Sequence, residues 1–473
     1  MKVGVHIHLF LIGIALFMTP VLGSLDVNLF GGVGKNASFY PLLLGVTLFF
    51  VENIARKSRL NFPRTKSAYA ILAFCAVLLF SGAVNITTLP ELRYQGTNGA
   101  TRFFIQYGTF LFSVCVAWYV FIVCKKTGGY PLAYFEKFLV GSFVLAGAYC
   151  VLEIGAIWGN DTLRETMFFI DTFFRVGAEG ERGLYMRLHS LAIEAPSFAM
   201  YMGLVFPFIT SLCLQWKGWK KILAIGLTTY LILLIILSFS RTAYVVFLVE
   251  LLCYILLFKK SLFNCAYFAV CILLIFFYYI VVDSDTFFLS IDPVKVVSSL
   301  FVSEGYYDAS TMVRYGTTFA GLEIWKTAPI FGVGWGGYGF YSFDYLPAWI
   351  WHANAPDPFF WRDNSLINGV WPPIHNLYVR ILAETGCVGL ISWLSMNIFV
   401  IKEEFVILYH QVDLKEKIRI RNIVVSTFGM ILYGLNSDAL NLHFFWIVLG
   451  IVWFYLDAIQ RGSINLNTNE GEQ

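Results

Sequence analysis

Charge is scarce in this chain. Of its 473 residues only 13% are Asp, Glu, Lys or Arg, against 58% hydrophobic and 18% aromatic, and the mean hydropathy is +0.70. Soluble domains carry about 25% charged residues, so that class is excluded. Several familiar signatures are missing as well. There is no C-x-x-C, and the nine cysteines (75, 115, 124, 150, 213, 253, 265, 271 and 387) lie in or beside apolar runs, which reads as packing rather than disulfide or metal chemistry. No H-E-x-x-H arrangement occurs, and neither a metal nor another cofactor is expected. The glycines of Gly332-Val333-Gly334-Trp335-Gly336 lack the G-x-G-x-x-G spacing and the βαβ context of a dinucleotide fold. They fit better a place where backbone closely approaches a ligand or a helix. No nucleic-acid motif, basic tail or internal repeat is visible.

What is present is a series of apolar runs, most of them 17–22 residues long, of the length that crosses the hydrocarbon core as a helix. The expected fold class is an all-α integral membrane protein with about twelve transmembrane helices, near 3–22, 38–55, 67–85, 103–124, 136–157, 191–214, 219–238, 242–258, 261–282, 374–401, 422–437 and 441–459. The first run also has the form of a signal peptide ending at Gly23 before Ser24; retention as a span is the reading adopted. Organisation follows as spans 1–9 in 1–282, a large outer loop in 283–373, spans 10–12 in 374–460, and a disordered cytoplasmic tail in 461–473.

Basic residues orient the spans. Arg56 to Lys66, Lys125 and Lys126, Lys217 to Lys221, Lys259 and Lys260, and Lys402 to Arg421 fall on one face, which the positive-inside rule makes cytoplasmic. The opposite face holds ten Arg and three Lys, while the cytoplasmic face holds six and fourteen. Arginine's planar fork suits phosphate better than lysine's point charge, so the skew points to a phosphate-bearing ligand outside. The plainer alternative is local pairing of those arginines with acids. The loop before span 10 holds six of the thirteen Trp. Within it Met312, Tyr315, Phe319, Leu322 and Trp325 recur at helical spacing, as in a helix lying on the membrane surface. Aromatic faces stack on sugar rings, and they also build ordinary interfacial belts.

Four outer constellations carry candidate chemistry. Arg187 and Glu194, seven apart before Pro196, are placed to share a face at the start of span 6, as ligand groups or as a simple salt bridge. Ser238-Phe239-Ser240-Arg241-Thr242-Ala243 makes a tight polar turn with an arginine beside helix N-terminal amides, either an anion site or an interfacial turn. Arg314 opens the third, which runs into the glycine segment. The fourth is His375-Asn376-Leu377-Tyr378-Val379-Arg380, continuing to Glu384-Thr385-Gly386. Here Asn376, Arg380 and Glu384 are spaced i, i+4, i+8 and His375 stands at the mouth, as a general base or a helix cap. Ionisable groups inside a span cost about 2.5–3.5 kcal/mol each, so they face protein or a watery cavity.

Three of these motifs in order, Ser238 to Ala243, Pro329 to Gly336, and His375 to Tyr378 with Glu384-Thr385-Gly386, resemble the O-antigen ligase and Wzy-type polysaccharide polymerase superfamily. The resemblance is strongest over about 185–395. It implies a GT-C-like, metal-independent membrane glycosyltransferase in the bacterial inner membrane, with its active site facing the periplasm and a polyprenyl-diphosphate-linked glycan as donor. On these positions it implies that Arg187, Arg241 and Arg314 hold the diphosphate and that His375 is the catalytic base. Asn376, Arg380, Glu384 and Glu194 would orient the base or meet the acceptor, with a structural pair as the alternative for Arg380 and Glu384. Partners would be the lipid bilayer and a chain-length regulator or flippase, with no nucleic acid. Polymerisation of O-antigen, capsule or exopolysaccharide repeat units is the expected reaction. The alternatives are ligation of glycan to lipid A core and, from another class, transport of lipid-linked oligosaccharide.

Overall fold

A computed structural model describes residues 2–22, 33–57, 61–94, 96–127, 130–174, 187–238, 240–258, 309–351, 358–359, 371–438, 440 and 442–461. The expected ninth span (261–282), the loop residues 283–308, 352–357 and 360–370, the site at Gly23–Ser24 and the tail after 461 lie outside these residues. So does the side chain of Arg241.

The described chain is helical: α1 (Lys2–Phe17), α2 (Phe39–Ala55), α3 (Lys66–Val84), α4 (Gly99–Thr127), α5 (Leu132–Ile157), α6 (Asp161–Phe174), α7 (Ala195–Gln215), α8 (Trp219–Leu237), α9 (Arg241–Leu257), α10 (Ala309–Thr327), α11 (Tyr338–Tyr345), α12 (Leu377–His410), α13 (Leu414–Tyr433) and α14 (His443–Gln460). The only strands among the described residues form a short antiparallel hairpin, Arg93–Tyr94 with Thr97–Asn98. Seven helices (α3, α4, α5, α7, α8, α12 and α14) are long and apolar enough to cross a membrane, and Gly4–Phe17, Phe39–Ala55 and Thr242–Leu257 are shorter apolar helices. The protein is therefore an all-α, multi-pass membrane protein. The expected span 422–437 coincides with the second half of α13. Its first two turns carry Lys415, Glu416, Lys417, Arg419 and Arg421, which keeps the whole helix below a spanning hydropathy.

Local chemistry sets several boundaries. Thr65, Ser240, Asn376 and Asp413 each accept a backbone N–H with their side chain and start α3, α9, α12 and α13. The interior is one large apolar cluster in which Trp446, Trp453 and Trp335 are almost fully enclosed. Phe110 meets Trp446 and Trp335 edge-on, at centroid distances of 5.5 and 6.5 Å. Several buried carboxylates have partners. At the end of the bundle carrying Lys125 and Lys126, Arg419 binds Glu136 at 2.8 Å and Glu416 at 2.9 Å, and Gln215 donates to Glu136 at 2.8 Å. On α12, Glu403 accepts from the Ser67 amide at the start of α3. These contacts close off the basic end and leave the opposite end for a site.

One sequence expectation changes here. Arg187 and Glu194 do not share a helical face, because the helix begins only at Ala195 with Glu194 as its extended N-cap residue. The physical cause is Glu153 of α5, a buried carboxylate that takes the amides of His189 (3.0 Å) and Ser190 (2.9 Å) and holds Ser190 at φ +51°. The expected helix around Met312 to Trp325 is α10, with Tyr315 and Phe319 exposed and Val313, Thr317, Ala320 and Ile324 forming its buried face.

The feature that positions the site is a break in α12. Gly386 has φ +65° and ψ −167°, a conformation available essentially to glycine alone, and divides the helix into Leu377–Thr385 and Cys387–His410. The glycine segment after α10 docks into this break. Val333 N and Gly334 N donate to the carbonyls of Ala383 and Glu384 (3.0 and 3.1 Å), and Cys387 N and Val388 N donate to those of Pro329 and Ile330 (2.9 and 3.3 Å). From α3, Ser81 Oγ donates to Phe331 O and Glu384 O, and Asn85 donates to Gly332 O. A Cβ at Gly332 would collide with the Glu384–Thr385 peptide, and one at Gly386 with that of Ile330–Phe331. The glycines serve the approach of backbone to a helix, one of the two roles read from the sequence.

Candidate functional site

His375 is presented by two anchors. Ile374 before it is fully buried against α10, where its carbonyl accepts from Thr317 Oγ1 at 3.3 Å. Asn376 after it caps α12 by accepting from Val379 N at 3.1 Å, and its amide donates to Leu435 O at 3.3 Å. Between them His375 takes φ +51°, an uncommon conformation for a non-glycine residue. Asn376 is thus a cap, so it does not continue the helical face of Arg380 and Glu384.

The connection between α13 and α14 closes the other side. Leu377 N donates to Gly434 O at 2.7 Å and Tyr378 Oη to Ile431 O at 2.6 Å. Arg314 of α10 reaches across to donate to Asn436 Oδ1 at 2.7 Å and to its carbonyl at 3.3 Å. Arg380 is enclosed: Nε faces Glu384 at 3.4 Å, NH1 donates to Asp438 O at 3.1 Å with its carboxylate at 3.7 Å, and NH2 donates to Gln106 Oε1 at 3.0 Å. The Trp335 ring lies 5.3 Å from its guanidinium. Glu384 is itself buried and accepts from the Tyr338 amide at 3.3 Å. Each charge in this pair has its partner, as burial demands.

The electrostatics bear directly on His375. Burial, and after it the neighbouring Arg314 charge, lower its pKa to about 4 against the opposing effect of Asp438. The imidazole is therefore neutral at pH 7, the form that accepts a proton. Among the described residues no group of three or more His, Cys, Asp or Glu is placed to hold a metal ion.

The structure gathers Arg314, His375, Asn376, Arg380 and Glu384 into one cluster at the end of the bundle opposite Arg419. For Arg187 and Arg241 the structure gives a backbone link. Leu188 N donates to Leu237 O at 3.2 Å, so the exposed Arg187 stands beside the turn that begins α9 at Arg241. Glu194 is the N-cap of α7, apart from the α12 pair. Sequence reasoning missed Arg102, Gln106, Trp371, Asn436 and Asp438. Arg102 stood in the count of outer arginines, and Arg102 and Gln106 are spaced i, i+4 at the outer end of a span. No sequence rule pairs them with residues some 270 positions away. Beside the cluster an apolar cleft runs between α12, α13 and α14, lined by Leu377, Tyr378, Trp393, Met430, Leu440 and Phe445.

Residues 199–394 match the family model described as O-Antigen ligase, Wzy_C. This bears out the resemblance to the O-antigen ligase and Wzy superfamily. The O-antigen ligase match begins in α7 and ends in α12, so it contains Arg241, Arg314, the docking glycines, His375, Asn376, Arg380 and Glu384. It leaves out Arg187 and Glu194, and also Arg102. Comparison with curated proteins returns no match. The chain is thus a multi-pass helical membrane protein with a segment similar to the O-antigen ligase family.

Proposed function

We propose that the protein polymerises polyprenyl-diphosphate-linked oligosaccharide repeat units at the outer face of the bacterial inner membrane, by inverting glycosyl transfer without a metal. The observation that carries this reading is the placement of a neutral histidine beside Arg314 at the mouth of α12, next to an apolar cleft between spanning helices. A lipid-linked donor needs both environments: positive charge for its diphosphate, and an apolar path for its isoprenoid chain. The acceptor hydroxyl loses its proton to His375 as it attacks the anomeric carbon, and the bond to the diphosphate oxygen breaks on the opposite side. Charge then grows on that diphosphate, where guanidinium groups stabilise it. Arg314, Arg241 and Arg187 are assigned to this task. Arg380 and Glu384 hold the helix half in place. The full count of twelve spans and the GT-C-like architecture belong to the same reading.

Transfer to lipid A core is the second reading, since the family description itself names a ligase. The deciding experiment is the envelope glycan profile of a strain lacking the gene, complemented with wild type, His375→Ala or Arg241→Ala. Polymerase function is expected to give a ladder that collapses to one repeat unit on core when His375 is replaced. Core without any attached repeat, with long lipid-linked glycan accumulating, would establish ligation. A full wild-type ladder from both variants at normal protein levels would remove the catalytic assignment.

A further inference from the structure

Arg102 lies in the first turn of α4, outside the matched segment. Its guanidinium lies over the indole of Trp371, 3.4 Å from the ring centroid, and its Nε–H donates to Gly336 O at 3.0 Å. The backbone is shaped around it. Gly336 has φ +81°, and a Cβ there would press on Gln106 and Arg102 at 3.0 and 3.4 Å. Trp371 in turn precedes His375 by only Pro372, Pro373 and Ile374, so Arg102 is tied to the segment that presents the histidine.

The contrast with Arg380 is informative. All three nitrogens of Arg380 are engaged by Glu384, Asp438 and Gln106, so that residue has little left to offer a ligand. Arg102 uses one N–H on a neutral carbonyl, and its NH1 and NH2 groups have no acceptor among the described residues. The carboxylates that act on it, Glu384 and Asp438, are the same two that Arg380 occupies. Two guanidiniums therefore share two carboxylates, and Arg314 adds a third positive charge bound to a neutral amide. Stacking on an indole fixes the plane of a guanidinium and leaves its edge to donate two parallel N–H bonds, the fork that matches a phosphate-type oxyanion.

We propose that Arg102, held by Trp371, binds a phosphate-type oxyanion of the substrate beside His375. This rests on the reading of the protein as a transferase of lipid-linked glycan. The oxyanion has two possible sources, the diphosphate of the donor or an acidic substituent on the acceptor glycan.

The test uses the full-length protein in nanodiscs. Binding of polyprenyl diphosphate without glycan, and separately of a soluble acidic repeat-unit glycan, is measured by calorimetry for wild type, Arg102→Gln, Arg102→Lys, Trp371→Phe and Trp371→Ala, alongside thermal unfolding. Arg102→Gln is expected to weaken one ligand at least tenfold with an unchanged unfolding temperature. Arg102→Lys should recover part of that loss, since it restores charge without the fork. Trp371→Phe should stay near wild type and Trp371→Ala should fall between. Loss confined to polyprenyl diphosphate assigns the donor; loss confined to the glycan assigns the acceptor. If wild type binds both ligands and Arg102→Gln binds both equally well, the Arg102 assignment is wrong and the transferase reading stands. If wild type binds neither, the transferase reading falls and takes this assignment with it.

Discussion

A histidine that removes a proton must be neutral before it acts, and His375 meets that condition by a wide margin. Burial and Arg314 hold its pKa near 4, against 6.5 for a free side chain. Such a group is a weak base in the empty protein. A bound diphosphate would place negative charge beside it and raise its pKa toward the working range. The acid limb of kcat/KM, which reports the free protein, is therefore expected near pH 4, and the limb of kcat at higher pH. His375→Ala should lose about 10²–10⁴-fold in rate. Coinciding limbs would argue against an anion next to the imidazole. The same shift has a stability consequence. The folded state binds fewer protons than the unfolded state between pH 6.5 and about 4, so the contribution of His375 is complete above 6.5 and is lost as pH falls through that interval. In the sequence His375, Arg380 and Glu384 stood out because polar groups inside an apolar run are costly. Arg102 did not, because its meaning depends on Trp371 and Gly336, and contacts across such separations leave no trace in local spacing.

At the scale of elements, the broken helix and the docked glycine segment form one unit. Gly386→Ala forces a side chain into a glycine-only conformation and against the Ile330 carbonyl. The backbone strain alone costs about 1–3 kcal/mol. Unfolding measured in detergent should show a loss of at least that size, and Gly332→Ala should behave alike. Gly226→Ala in α8, where an added Cβ meets nothing within 4 Å, is the control and should be neutral or slightly stabilising. Equal stability of all three variants would mean that the docking is dispensable. This device is announced in the sequence by glycines lacking a nucleotide pattern, for which a helix is one of the two partners read there. It did not reveal the break, because Gly386 sits inside an apolar run that reads as uninterrupted. In the same way Arg187 and Glu194 looked like one helical face, since nothing local shows that Glu153 claims the intervening amides.

For the whole molecule, apolar runs of spanning length were enough to identify a multi-pass helical protein, because a bilayer imposes length and composition on any helix that crosses it. Half-polar helices are harder. The first turns of α13 hold Arg419 and Glu416, paired with each other and with Glu136, and only the folded bundle shows that these charges are matched. Orientation is open to direct measurement. A reporter active only outside the cytoplasm, fused after Thr127 or after Tyr345, is expected to be silent at the first position and active at the second. The reverse result would put the His375 cluster on the cytoplasmic face and exclude a periplasmic transferase.

The union between the glycine segment and α12 is made by peptide groups. Four N–H to C=O bonds join them directly, so the pairing is indifferent to which side chains its non-glycine members carry. Only the glycines are held to their identity. A lineage of such proteins is accordingly free to change the neighbouring loop residues while inheriting the same joint beneath.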